Sequence, residues 1–220
     1  MSALLELTDV RHGYSGRAVL NGVSLAVGAG ECVVLLGENG SGKSTLLRLA
    51  AGQELPESGS VTLRGTAVSE DDWTVRATVA AVLDSGVGYP DLSVREHLML
   101  VALAHGLGDG SEDAVDEVLA EHHLTERADA LPHQLSSGQS QLMALAQAFV
   151  RPAELLLLDE PEQRLDVDAR ARLAGRLRSA KERGTAVLLA THNRELADAV
   201  ADAEYTVSGE GLLVAGVSGG

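Results

Sequence analysis

The chain has 220 residues, 45% of them hydrophobic, so it is long enough to bury a sizeable core. Its formal net charge of −15 disfavours nonspecific nucleic-acid binding, which requires a basic surface, and predicts no nucleic-acid partner. Neither a positively charged leader nor an apolar run long enough to span a bilayer is evident. Cys32 is the only cysteine, which excludes an internal disulfide, and it is predicted to be a small buried hydrophobe.

The first part of the chain predicts two short strands, Leu4–Val10 and Ser24–Val27. Apolar and polar residues partly alternate within them, as in strands with one buried face. Glycines between the two runs indicate turns at Gly13, Gly16 and Gly22.

An apolar strand, Cys32–Leu36, leads into a glycine-rich loop and then a helix predicted to end near Ala51. This order fits a loop that binds nucleoside triphosphates, because glycines let backbone N–H groups face an anion at a helix N-terminus. Lys43 is predicted to reach the β- and γ-phosphates, and the Ser44 hydroxyl to bind Mg²⁺. A loop that only turns the chain is the disfavoured alternative. The loop residues predicted to bind ATP are Gly37, Glu38, Asn39, Gly40, Ser41, Gly42, Lys43, Ser44 and Thr45.

The middle of the chain changes from strands to helices. Strands are predicted at Val61–Leu63 and Thr78–Leu83. Ser93 and Glu96 have the spacing of a capping box, which indicates that a helix begins there. A second, acidic helix is predicted at Glu112–Glu121.

The remaining elements alternate between helix and strand. They are predicted at Ser137–Val150, Leu155–Leu158, Val167–Arg183, Ala186–Ala190, a short helix after Asn193, and a strand pair around Gly209 and Gly211. Such alternation favours a largely parallel sheet with helices on both faces. The sequence predicts an α/β fold: a P-loop core with a mostly parallel sheet, an N-terminal antiparallel β subdomain and a helical insertion at 93–134. All of it is predicted to belong to one domain, residues 1–220.

Two carboxylates, Asp159 and Glu160, follow the predicted strand Leu155–Leu158. Ligands collect at the carboxyl ends of strands in open α/β sheets. Asp159 is predicted to contact Mg²⁺ directly or through another ligand. Glu160, expected to point the other way by strand alternation, is predicted to polarise the attacking water. Without the phosphate loop, the pair would be ordinary solvated residues at a strand end.

Leu135–Gln139 opens the next helix and would by itself be an ordinary N-cap. Together with the preceding motifs, it resembles the nucleotide-binding subunit of an ATP-binding-cassette (ABC) transporter over nearly the whole chain. Lys43 and Ser44 match the Walker A motif, and Leu155–Asp159 with Glu160 matches Walker B and its catalytic glutamate. The resemblance further identifies the D-loop Asp166, the switch His192, an adenine-stacking Tyr14, and a signature loop of Ser136, Ser137, Gly138 and Gln139.

The resemblance implies an ATPase that uses Mg²⁺ and works as a head-to-tail dimer, either a homodimer or a heterodimer. The signature loop of one copy would cap ATP bound to the other. Lys43, Glu160 and His192 would serve hydrolysis. The partners would be integral membrane transporter subunits, which would hold the chain at the cytoplasmic face of the cell membrane. A soluble ABC-type ATPase, for example in iron–sulfur cluster assembly, and a catalytically silent cassette are the alternatives.

Several residues depart from the family pattern. Asp84 stands where a glutamine is usual and is predicted to be a metal ligand, with a solvated loop aspartate as the alternative. Ser140, Leu142 and Gln147 stand where arginines are usual, which removes charge-assisted contacts near the dimer interface. Ser137 replaces a glycine. Residues 162–164 replace smaller D-loop residues, and the sequence offers no physical reason for that choice.

Overall fold

The computed structural model describes residues 3–83, 88–209 and 211–215. Its strands are β1 Leu5–Tyr14, β2 Arg17–Val27, β3 Cys32–Leu36, β4 Ser58–Leu63, β5 Thr66–Ala67, β6 Val79–Val82, β7 Leu155–Asp159, β8 Ala186–Ala190, β9 Ala203–Val207 and β10 Leu213–Ala215. Its helices are α1 Lys43–Ala50, α2 Trp73–Thr78, α3 Val94–Ala104, α4 Ser111–Glu121, α5 Ser137–Phe149, α6 Val167–Glu182 and α7 Arg194–Val200.

The main sheet has the strand order β10-β9-β3-β8-β7-β6 and is parallel except for β10. Strands β3, β7 and β8 are almost continuously buried, because helices or the second sheet cover both faces. Their carboxyl ends therefore lie side by side at one edge of the sheet. The parallel core and the strand pair around Gly209 and Gly211 are confirmed.

Alternate residues of the central strands enter two different cores. Val33 and Leu35 pack in a cluster with α1 and the antiparallel sheet, whereas Cys32 and Val34 pack with α6 and α7. Cys32 is fully buried, and burial raises the pKa of its thiol to about 12. The prediction that Cys32 is a packing residue is confirmed.

The second sheet is antiparallel, with the order β2-β1-β4-β5. Only Gly16 of the three predicted turn glycines lies in the turn between β1 and β2, so the turns predicted at Gly13 and Gly22 are wrong. Gly13 pairs with Ala18 inside the hairpin. A Cβ at Gly13 would lie 2.4 Å from the Arg17 carbonyl oxygen, so close strand approach explains this glycine.

The predicted strand Thr78–Leu83 is wrong at its start. Thr78 ends the short helix α2, and β6 begins at Val79. The Asp72 side chain caps α2 by accepting from the Thr74 backbone N–H at 2.8 Å. Aspartate is a preferred N-cap residue, so this was the missed signal for a helix.

The helices between β6 and β7 form a third core. Val94 and Leu98 of α3 pack with Val118 of α4 and Met143 of α5. The capping box predicted at Ser93 is confirmed, with its Oγ accepting from the Glu96 N–H at 3.3 Å and the Glu96 carboxylate accepting from the Ser93 N–H at 2.7 Å. Among the residues that the structure describes, no helix is both long enough and apolar enough to cross a membrane.

Candidate active site

A cleft of about 600 Å³ opens at the carboxyl ends of the central strands. Its lining includes much of the glycine-rich loop, both predicted carboxylates and Tyr14. These residues are far apart in the chain, and the parallel strands bring them to one edge. The lining residues are Tyr14, Val19, Asn39, Gly40, Gly42, Lys43, Ser44, Thr45, Val82, Leu83, Gln141, Asp159, Glu160, Gln163 and Arg164.

The glycine-rich loop folds back over the start of α1. The Lys43 ammonium donates to the Gly37 carbonyl at 2.8 Å and to the Glu38 carbonyl at 3.0 Å. Gly37 and Gly42 have φ values of 147° and 108°, a region that favours glycine. A Cβ on Gly37 would also lie 2.6 Å from the Val207 carbonyl oxygen. The loop thus presents a buried ammonium beside the N-terminus of α1, a suitable arrangement for phosphate oxygens.

Ser44 and Asp159 lie together at the base of the cleft. Both residues line the cleft. Burial raises the pKa of Asp159, while the neighbouring Ser44 side chain and the Lys43 charge oppose this rise.

The donor set of Ser44 and Asp159 fits Mg²⁺, which prefers oxygen ligands and commonly uses one or two protein groups plus phosphates and water. Within the described ranges, no cluster of three or more His, Cys, Asp or Glu side chains could hold a metal. A magnesium ion in this cleft would therefore have few protein ligands, with phosphate and water oxygens completing its coordination. Asp84, predicted as a further metal ligand, lies outside the described residues.

Glu160 and His192 approach each other at the mouth of the cleft. His192 Nδ1 lies 3.3 Å from Glu160 Oε2, and the Gln163 amide also donates to this oxygen. The imidazole is exposed and the carboxylate is mostly buried. The pairing depends on the adjacency of β7 and β8, because each residue follows one of these strands.

The prediction that strand alternation sets the direction of the Glu160 side chain is wrong. Strand β7 ends at Asp159, and Glu160 has φ 45°, outside the extended region. The Glu160 N–H instead donates to the Ala190 carbonyl at 2.8 Å, which turns the chain across the end of β8. Backbone pairing with β8, not strand alternation, sets where Glu160 lies.

Tyr14 lies at the end of β1 on the rim of the cleft, with 43% of its surface exposed. Its hydroxyl donates to Glu54 Oε2 at 2.5 Å and lies 3.5 Å from Thr45 Oγ1. His12 Nε2 is 3.1 Å from the same carboxylate oxygen, and the His12 and Tyr14 rings meet edge to face. The ring is therefore held from its hydroxyl end while part of its surface stays open.

Ser136 caps α5 in a second capping box. Ser136 Oγ accepts from the Gln139 N–H at 3.2 Å, and Gln139 Oε1 accepts from the Ser136 N–H at 2.9 Å. Ser136 and Ser137 are exposed. A Cβ on Gly138 would lie 2.8 Å from the Arg164 carbonyl oxygen, so α5 begins in direct contact with the D-loop. The structure places these four residues together at a solvent-facing helix N-terminus; it does not bring them into the cleft.

Asp166 caps α6, with its Oδ1 accepting from the Ala169 N–H at 2.7 Å. Sequence reasoning missed three polar contributors to the cleft wall, namely Gln141, Gln163 and Arg164. Gln141 is buried and donates to the Pro161 carbonyl at 3.1 Å. Gln163 and Arg164 had one signal, the unexplained departure from the family pattern at residues 162–164, whereas the sequence analysis found none for Gln141.

Comparison with known proteins identifies the class to which this arrangement belongs. A model of the ABC transporter family matches residues 20–163, and the chain belongs to that family. Its fold is that of an ATP-binding subunit: a solved structure described as an ATP-binding subunit of an ABC transporter superposes with a TM-score of 0.90 at 32% identity, covering 97% of this chain and 89% of the other.

Similar proteins include ATP-binding proteins of export systems. The Nod factor export ATP-binding protein I of Paraburkholderia xenovorans (strain LB400) is 36% identical over 197 residues, 89% of this chain. The protein of the same name from Cupriavidus pinatubonensis is 37% identical over 199 residues, 90% of this chain. This chain spans 65% and 61% of the lengths of these two relatives, less than two thirds of either.

Proposed function

We propose that the chain binds and hydrolyses ATP, depends on Mg²⁺, and powers export through separate membrane-spanning subunits. The observation that carries this proposal is the joint lining of one cleft by Lys43, Asp159 and Glu160, with His192 3.3 Å from Glu160. This set combines a phosphate-binding cation, oxygen ligands and a general base, which are the recurring parts of phosphoryl-transfer sites.

The proposed roles follow from the positions of the side chains. On ATP binding, the Lys43 ammonium exchanges its two loop carbonyls for β- and γ-phosphate oxygens, and Tyr14 stacks on the adenine. Glu160 accepts a proton from the water that attacks the γ-phosphorus, and the bond from that phosphorus to the bridging oxygen of ADP breaks. His192 keeps the Glu160 carboxylate directed at the water.

Ser44 and Asp159 are the residues that would hold Mg²⁺, since both are oxygen donors and line the same cleft. When bound, the ion would neutralise charge on the phosphate oxygens. Asp84 is proposed as a further ligand on the family alignment alone.

We propose a head-to-tail dimer in which Ser136, Ser137, Gly138 and Gln139 of one copy face the γ-phosphate held by the other. One observation supports this: α5 begins at an exposed N-terminus. Backbone N–H groups at such a helix end are suited to binding anions. Asp166 would lie at the same interface, because the D-loop contacts Gly138 within each copy.

Export is favoured over import because the relatives described above are named for export. The chain would lie at the cytoplasmic face of the membrane through its membrane-spanning partners. A tagged chain purified in detergent from membranes of its own host is expected to retain a polytopic membrane protein, identified by mass spectrometry. Recovery of soluble partners alone, while other membrane complexes survive the same preparation, would instead favour a soluble ABC-type ATPase.

Activity and assembly can be tested on the purified chain. Phosphate release is expected to require Mg²⁺ and to be lost in Lys43→Ala. Glu160→Gln with Mg-ATP is expected to sediment as a dimer, because the closed state cannot proceed to hydrolysis. If Glu160→Gln remains a monomer with saturating Mg-ATP, the proposed sandwich dimer is wrong. A homodimer or a heterodimer is then identified from the composition of the complex recovered from the host.

A further inference from the structure

Glu162 is the one acidic residue among those described whose side chain is buried, with 5% of its surface exposed. It stands two positions after Glu160 and is not among the residues that line the cleft. The Thr191 hydroxyl donates a hydrogen bond to Glu162 Oε1. Oε2 is buried and has no hydrogen-bond partner among the described residues. Burying a carboxyl group is unfavourable, so this residue requires an explanation.

The partner of Glu162, Thr191, is fully buried and directly precedes His192. The Thr191 N–H donates to the Leu35 carbonyl at 3.1 Å, and Thr191 Oγ1 accepts from the Asn193 N–H at 2.9 Å. The Thr191 hydroxyl therefore accepts a hydrogen bond from the Asn193 N–H and donates its only proton to Glu162. This hydrogen bond requires an acceptor side chain at position 162.

The segment that carries Glu160 and Glu162 is also fixed by backbone hydrogen bonds. The Glu160 N–H donates to the Ala190 carbonyl at 2.8 Å, and the Gln163 N–H donates to the Glu160 carbonyl at 3.0 Å. The segment from Glu160 to Glu162 and the segment from Thr191 to His192 thus form a closed ring. One junction is the Glu162–Thr191 hydrogen bond, and the other is the 3.3 Å contact between His192 and Glu160.

We propose that Glu162 is a positioning residue for ATP hydrolysis. Its carboxyl group holds the Thr191 hydroxyl and thereby fixes the backbone that carries His192 opposite Glu160. This inference rests on the proposed hydrolytic role of Glu160. It also provides a reason for a buried glutamate at this D-loop position, since its carboxyl oxygen accepts the hydrogen bond from the buried Thr191 hydroxyl.

Steady-state ATP hydrolysis by the purified full chain tests the proposal. Glu162→Leu and Thr191→Val each remove one partner of the hydrogen bond and are expected to lower kcat about tenfold, with KM for ATP nearly unchanged. Glu162→Gln and Thr191→Ser preserve acceptor and donor and are expected to restore most of the rate. Thr185→Val is the matched control, because Thr185 Oγ1 donates at 3.3 Å to the Ala153 carbonyl near the opposite end of β8. This control is expected to keep the kcat of the unmodified chain.

A double-mutant cycle separates positioning from general loss of structure. In a His192→Ala background, Glu162→Leu is expected to cause little further loss of kcat, because the side chain that it positions is already absent. An equal loss in both backgrounds overturns the proposal, as does an unchanged kcat in Thr191→Val. Melting temperatures identify a Glu162→Leu chain that does not fold, in which case Thr191→Val decides. If Glu160→Gln itself leaves turnover intact, the proposed function fails first and is distinguished from a failure of this inference.

Discussion

The cleft at the ends of β3, β7 and β8 and the N-terminus of α5 are organised in opposite ways. At the cleft, Lys43 donates to carbonyls of its own loop, and His192 contacts Glu160 from the end of the neighbouring strand. At α5, the side chains of Ser136 and Gln139 hydrogen-bond to each other's backbone, and Ser136 and Ser137 are exposed. The contacts at the cleft are formed within one chain, whereas the exposed N-terminus of α5 could contact another molecule.

This difference separates two kinds of sequence motif. The cleft residues satisfy one another across the sheet, so their arrangement is a property of the single chain. The side chains of Ser136 and Gln139 cap their own helix, and in the proposed dimer they would take part in ATP hydrolysis on a second molecule. Four substitutions, each with a matched control, sharpen this contrast.

The largest expected effect is in the cleft. Glu160→Gln is expected to lower ATP turnover by about 100-fold or more, the usual contribution of a general base, while ATP still binds. The control is Glu154→Gln, which changes an exposed glutamate just before the other end of β7. Turnover assays combined with binding of a fluorescent ATP analogue measure both effects. Similar turnover in the two variants would contradict the role of Glu160.

A smaller effect is expected where the signature loop meets the D-loop. Gly138→Ala places a Cβ 2.8 Å from the Arg164 carbonyl oxygen and must displace backbone, so we expect roughly 1–3 kcal/mol of destabilisation and reduced turnover. Gly175→Ala within α6 has open space around its Cβ and is expected to raise stability by up to about 1 kcal/mol. Urea denaturation measures both changes. Equal free energies of unfolding for the two variants would show that α5 is not held against the D-loop.

The two capping boxes allow a direct test of the helix N-terminus. Ser136→Ala and Ser93→Ala each remove a cap, so each is expected to lower the free energy of unfolding by about 1 kcal/mol. Only Ser136→Ala is expected to weaken ATP-dependent dimerisation, when both are made in a Glu160→Gln background and followed by sedimentation. Equal dimerisation of both variants would leave Ser136 with a structural role alone.

The smallest effect is expected at the rim of the cleft. Glu54→Gln weakens the acceptor for the Tyr14 hydroxyl, and ATP affinity is expected to fall by a few-fold, about 1 kcal/mol or less, with kcat unchanged. Glu57→Gln, at an exposed position in the same loop, is the control. Isothermal titration with ATP compares them. A change in kcat without a change in ATP affinity would mean that Tyr14 and Glu54 do not hold the adenine of ATP.

The sequence by itself determined the order of the elements and the phosphate-binding loop, because both depend on short-range patterns. Continuous apolar runs mark β3, β7 and β8, and the loop between β3 and α1 needs glycines at positions of positive φ. Local capping chemistry likewise marked the starts of α3 and α5. Where close packing rather than a turn required a glycine, as at Gly13, the local signal was misleading.

Only the tertiary structure decided how the candidate site is assembled. Glu160 takes its position from a hydrogen bond to Ala190 on a neighbouring strand, and Tyr14 is held by Glu54. Glu162 looked like an arbitrary departure in the chain but meets Thr191 in the interior. These contacts join residues far apart in sequence, and the order of strands in the sheet, which no local pattern encodes, brings them within hydrogen-bond distance.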